Sequence, residues 1–221
     1  MTAILVLARL TLVRVLRGRA VWVSGAIAAF PILFAFVARD RAPDLADQLL
    51  VFEQFVLAIL PAMFVASSIG EEIEDRTMTY LWSRPLPHGA VLAGKLVALI
   101  PLVIALSLAC WLGSLAAGNA PITARGIAGI ATGAAAICIL AAGMALLVPR
   151  QGTALTICYL LFFDLPFGYL PASLRAVSVS FHTRVLCGAE AGSVAASLGE
   201  LGVLVAIWGG VAIWRLRRLE A

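Results

Sequence analysis

Apolar residues in this chain come in long unbroken runs and do not alternate with polar ones. The runs lie at 22–38, 49–70, 96–117, 126–148, 153–170 and 198–214, and each is closed by charges, Pro or Gly. About 20 apolar residues in a helix cross the hydrocarbon core of a bilayer, so the pattern predicts six spans. They are expected to be helical, because a backbone in lipid must satisfy its own hydrogen bonds. A barrel would need alternating segments of about 10 residues, which the pattern lacks. The expected fold is an all-α integral membrane protein, with 1–221 forming a single transmembrane domain.

Composition agrees: 62% of the 221 residues are hydrophobic and 13% charged, against about 25% charged in an ordinary soluble domain. The first stretch, 1–19, carries Arg9, Arg14, Arg17 and Arg19 among its apolar residues. It is too short and too charged to span, and no small-residue cleavage site follows. The expectation is an uncleaved interfacial helix whose four arginines anchor on lipid phosphates, although Leu10 and Val13 fall on the side of Arg14 and Arg17. Assigning Lys and Arg to alternate sides puts eleven with the termini and five opposite. By the positive-inside rule both termini are expected in the cytoplasm. Orientation accounts for the net charge of +4, and no basic patch interleaved with aromatics points to nucleic acid.

Between the second and third runs lies EEIEDRTMTYLWSRPLPHGAVLAGK, residues 71–95, where charge is densest. As a helix over 71–84 it would place Ile73, Thr77, Tyr80 and Leu81 on one face. Glu71, Glu72, Glu74 and Asp75 would fall in its first turn, where the helix dipole favours anions. Arg84-Pro85 would end it, since proline lacks a donor and restricts the residue before it. Two readings stay open from the residues alone, a solvated turn or a docking element; Tyr80, Leu81 and Trp82 in a row weigh toward docking.

This segment resembles the stretch after the second span in permeases of the type 2 ABC exporter family. There, acidic residues, a Gly-Thr pair, an Arg-Pro turn and a Gly-Lys recur in this order; here the matching positions are Arg76-Thr77, Ser83-Arg84-Pro85 and Gly94-Lys95. The resemblance implies a cytoplasmic coupling helix between spans 2 and 3 that docks on a separate ABC ATPase subunit. Glu71, Glu72, Glu74, Asp75, Thr77, Tyr80, Leu81, Trp82, Arg84 and Pro85 are its candidate coupling residues. It further implies two ATPase copies, a homodimer of this chain forming the path, and ATP and Mg bound by the partner with no cofactor on this chain. A bacterial inner membrane fits the Ala-, Gly- and Leu-rich composition.

Gly89 to Leu96, GAVLAGKL, nearly fits a phosphate-binding loop, but Leu96 stands where the Mg-binding hydroxyl belongs and no strand precedes it. Nucleotide is therefore not expected on this chain. Glu53 and Asp164 are the two acids within apolar runs. They either line a substrate path, or sit at headgroup level and pair with a neighbouring helix respectively. Pro166 is expected to kink the fifth span beside Asp164. Gly129 and Gly133, and the small residues Gly202, Ala206 and Gly210, permit close packing, here expected within one subunit. Region 172–197 is too long for a tight turn and too apolar for a disordered loop; in the resembling family short re-entrant helices occupy this place, with Phe181 and Leu186 expected to face lipid. Cys110, Cys138 and Cys158 fall in spans and only Cys187 in a loop, so neither a disulfide framework nor a metal site is expected. Two other classes of function remain from sequence. An intramembrane enzyme would need paired catalytic groups at one depth, and neither His88 nor His182 lies in a span. A non-transporting anchor or sensor would recruit an ATPase through the same helix.

Overall fold

The computed structural model describes residues 2–39, 44–74, 88–170 and 173–219. Among them the chain is almost entirely helical, with no strand. Helix α1 (Thr2–Arg17) ends at Gly18, whose extended backbone turns the chain into α2 (Arg19–Ala38). A continuous rod follows: α3 (Leu45–Pro61), a π-helical turn (Ala62–Ala66) and α4 (Ser67–Glu74). After the undescribed segment come α5 (His88–Ala117) and α6 (Ala124–Leu147). The fifth crossing is again interrupted: α7 (Gly152–Tyr159), a π-helical turn (Leu160–Asp164) and α8 (Leu165–Tyr169). A 3-10 turn (Ser173–Val177), a short α9 (Val179–Cys187) and α10 (Val194–Leu219) complete the chain.

Six segments are long and apolar enough to cross a membrane: Arg19–Ala38, Leu45–Gly70, Gly89–Ala117, Ala124–Leu147, Pro149–Tyr169 and Val194–Arg218. Each overlaps one predicted run. The third begins earlier than the apolar pattern, because Gly89 to Lys95 continue the same helix. That also disposes of the phosphate-loop match, since GAVLAGKL is helical and offers no loop of backbone N–H groups.

Both π-helical turns have a proline at hand. Pro61 and Pro166 lack the N–H that would bond four residues back, and the ladder widens next to each. The kink expected at Pro166 is realised as the turn over Leu160–Asp164.

The second and fourth spans form the centre, with 72% of their apolar windows buried, while the first and sixth are only 17% and 22% buried and present Trp22, Phe36, Val203 and Ile207 outward. Small residues on α6 decide what packs on it. A β-carbon at Gly129 would lie 2.6 Å from Cys187 Sγ, one at Gly133 would collide with the Thr183 side chain, and one at Gly143 would lie 2.9 Å from the Trp208 ring. The Gly129/Gly133 pair thus seats α9 within the subunit, as expected. The stripe on the sixth span behaves otherwise: Gly202 and Gly210 meet nothing within 4 Å, so the expected packing inside one subunit is not found there. The expectation that Phe181 and Leu186 face lipid is also overturned. Both are buried, because α9 folds inward against α6 and α10.

Candidate functional site

Three places carry the chemistry. The first is the C-terminal end of the rod α3–α4, which stays helical through Glu71, Glu72 and Glu74. The remaining coupling candidates, Asp75, Thr77, Tyr80, Leu81, Trp82, Arg84 and Pro85, lie outside the described residues. What leads into that segment is tightly held. Lys95, buried at the start of α5, donates from Nζ to the Ser68 carbonyl. A β-carbon at Gly70 would lie 2.9 Å from the Pro149 carbonyl oxygen, so the α6–α7 turn abuts the rod two residues further on. One residue before Lys95, a β-carbon at Gly94 would lie 3.0 Å from Leu7 Cβ and 3.2 Å from the Ile4 carbonyl. Helix α1 crosses α5 there, burying Ala8, while Arg9, Arg14, Arg17 and Arg19 are exposed. Residues Leu7, Thr11, Arg14, Arg19, Met63 and Ser67 border a cavity of about 480 Å³ between α1 and the rod. Gly94-Lys95 thus serves packing and hydrogen bonding: a glycine where two helices touch, and an ammonium tying span 3 to span 2.

The second place surrounds α9. Asp164 is buried, and its Oδ1 accepts from the Val179 N–H at 2.7 Å while Oδ2 accepts from the Ser180 N–H at 3.0 Å and from the Ser180 hydroxyl. Ser178 Oγ donates to the Asp164 carbonyl at 2.8 Å and accepts from the Phe181 N–H at 3.1 Å. A carboxylate at a helix N-terminus satisfies orphan donors and complements the dipole. The opposite end receives a cation: Arg125 donates from Nη2 to the Val185 carbonyl at 2.7 Å and from Nε to the Leu186 carbonyl at 3.1 Å. Gly188, at φ 88°, closes the helix in the left-handed conformation that glycine adopts without strain. Arg184 donates to the Gly168 carbonyl, and its guanidinium lies 3.8 Å above the Tyr169 ring. His182, fully buried, has Nε2 2.9 Å from the Ala176 carbonyl and 3.4 Å from Glu200 Oε2. Burial pushes the Cys187 thiol up to about 12, with the charge of Glu53 adding to the effect and Arg125 opposing it. It remains an unreactive neutral thiol.

The third place is Glu53, two turns into α3. It is 1% exposed, so its carboxyl sits among the helices. The two intramembrane acids therefore part company. Asp164 is fully engaged in holding a helix, while neither carboxylate oxygen of Glu53 has a hydrogen-bond partner. Sequence reasoning picked both acids but missed Ser178, Ser180, Arg125 and Arg184. Only Ser178 carried a local signal, a hydroxyl directly before a helical stretch.

Among the described residues, no group of three or more His, Cys, Asp or Glu side chains could hold a metal ion. Six apolar crossings around a central pair, with polar groups reserved for tethers between helices, define a multi-pass integral membrane protein. The profile described as ABC-2 family transporter protein matches residues 13–168, from the end of α1 through α8, and the chain belongs to that family. It is a permease component of an ABC transporter, and membership implies an ABC ATPase partner. A comparison with curated proteins finds no match.

Proposed function

We propose that the chain is the permease subunit of an ATP-driven exporter, pairing with a second copy to form the path and docking on two separate ATPase subunits through residues 71–84. ATP and Mg are bound and turned over on the ATPase; this chain supplies the moving spans. Both termini and the coupling segment face the cytoplasm of a bacterial inner membrane. The observation that carries the reading is the convergence, at the two ends of the 71–84 segment, of Lys95 on the Ser68 carbonyl, Gly70 on Pro149 and Gly94 on α1. A force applied to that segment meets the second and third spans, the α6–α7 turn and α1 as one joined body.

The test is extraction of the tagged protein in mild detergent. A P-loop ATPase is expected to co-purify at one copy per copy, and Glu72→Lys with Asp75→Lys to abolish the association by reversing the charge offered to it. Undiminished co-purification of the double variant would remove the acidic turn from the docking surface. A chain that purifies alone, while other membrane complexes stay intact, would remove the coupling reading altogether.

A further inference from the structure

Helix α3 buries two adjacent polar side chains with nothing to bond. Glu53 and Gln54 are 1% and 2% exposed. Both oxygens of the Glu53 carboxylate, both amide atoms of Gln54 and the Ser107 hydroxyl on α5 lack a hydrogen-bond partner. The Cys110 thiol lies against the Glu53 carboxyl, but it has one hydrogen, and that is aimed at the Ala28 carbonyl 3.5 Å away. Ser107 precedes Cys110 by three residues and so shares its face of α5, toward α3. Ser114, one turn beyond Cys110, is already used, donating to the Cys110 carbonyl at 2.8 Å. Among the described residues no cation pairs with Glu53. Arg125, which acts on the same corner through Cys187, spends its guanidinium on the Val185 and Leu186 carbonyls. The group lies eight residues below the start of α3, about 12 Å along the axis, well inside the bundle.

A bare carboxylate in such surroundings is strongly disfavoured, and unpartnered buried polar atoms in a native protein call for an occupant. We propose that Glu53, Gln54 and Ser107 form an internal binding site for one small monovalent cation, a proton or Na⁺, between the second and third spans. The donor set is all oxygen: two carboxylate oxygens, the Gln54 amide oxygen and a hydroxyl, which suits a hard ion. One negative charge balances one positive charge and leaves the bundle neutral, whereas a divalent ion would leave an uncompensated charge in it. With Na⁺ bound, the amide oxygen and the hydroxyl complete the coordination. With a proton, Glu53 is neutral and donates to the Gln54 amide oxygen or to Ser107.

The site is independent of the ATPase reading, and its test needs only the purified chain. Thermal unfolding in detergent is followed while Na⁺ replaces N-methylglucamine at fixed pH, and again while pH is varied at fixed salt. Wild type, Glu53→Gln and Ser107→Ala are compared. A ligand bound only by the folded state raises its midpoint. If Na⁺ is the occupant, the wild-type midpoint climbs with Na⁺, Glu53→Gln does not respond, and Ser107→Ala needs about tenfold more Na⁺, the worth of one hydrogen bond. If the occupant is a proton, Na⁺ has no effect, and the wild type loses stability against Glu53→Gln as pH rises, with the gap closing at low pH. Superimposable wild-type and Glu53→Gln curves in both titrations would overturn the proposal. Should Glu53→Gln not fold, Gln54→Leu and Ser107→Ala take its place, and cation and pH midpoints unshifted in both variants would overturn the proposal equally.

Discussion

At the scale of single residues, two acids of the same kind, each inside an apolar run, do different work because their neighbours differ. Asp164 meets two backbone N–H groups and a hydroxyl from the first turn of α9; Glu53 meets none. Removing the Asp164 carboxylate strands those buried donors, at about 1–3 kcal/mol for each unsatisfied group. Asp164→Ala is expected to cost about 2–4 kcal/mol on that basis. Asp164→Asn keeps one acceptor and should lose clearly less. The thermal midpoint in detergent, read with protease cleavage around Gly188 to Ser193, checks the cause. Cleavage there should rise in Asp164→Ala before the bundle melts. An Asp164→Ala protein as stable and as resistant as wild type would mean that α9 is held by Arg125 and Arg184 alone.

At the scale of elements, close approach decides which glycines matter. A β-carbon at Gly129 would lie 2.6 Å from Cys187 Sγ and 2.8 Å from the Cys187 backbone nitrogen, whereas one at Gly202 would meet nothing. Backbone cannot yield as a flexible side chain can, so Gly129→Ala is expected to destabilise by about 1–3 kcal/mol and Gly202→Ala to stay within about 0.5 kcal/mol. Equal midpoints for the two variants would show that α9 is not seated on α6. The same contrast shows what was legible in sequence. The six spans could be read from local runs, because hydrophobic length is a property of each segment alone. Short re-entrant helices after the fifth span were implied by the family resemblance, and the structure has a short helix there, Val179–Cys187. Its burial was not legible, since Phe181 and Leu186 look lipid-facing until α6 offers Gly129 and Gly133 to Cys187 and Thr183 of the same helix. Nor could the sequence tell the Gly129/Gly133 pair from the Gly202/Gly210 stripe: spacing permits contact, and only the tertiary arrangement supplies the partner. Asp164 and Ser180 are joined across sixteen positions by a turn that no periodic pattern encodes.

At the scale of the whole molecule, the rigid joints gather at the two ends of the proposed coupling segment, where the family's ATPase partner is expected to dock. Lys95 ties the third span to Ser68 at the end of the second, and Gly94 lets α1 lie across the same point. Lys95→Met would deprive the Ser68 carbonyl of its ammonium donor but leave the acidic turn at Glu71 to Asp75 untouched. The ATPase is therefore expected still to co-purify, while its turnover in vesicles loses its response to the permease. Gly94→Val acts on the other side of the joint, since branched atoms at that position would push against Leu7 and the Ile4 carbonyl. Hydrogen exchange in Thr2–Arg17 should then accelerate at least tenfold, while exchange in Ala124–Leu147 stays slow, because α1 packs chiefly on α5 and not on α6. Exchange rising equally in both helices would mean that Gly94 supports the whole bundle and not one docked helix. Loss of ATPase association in Lys95→Met would mean that the lysine shapes the docking surface itself and does not transmit motion from it.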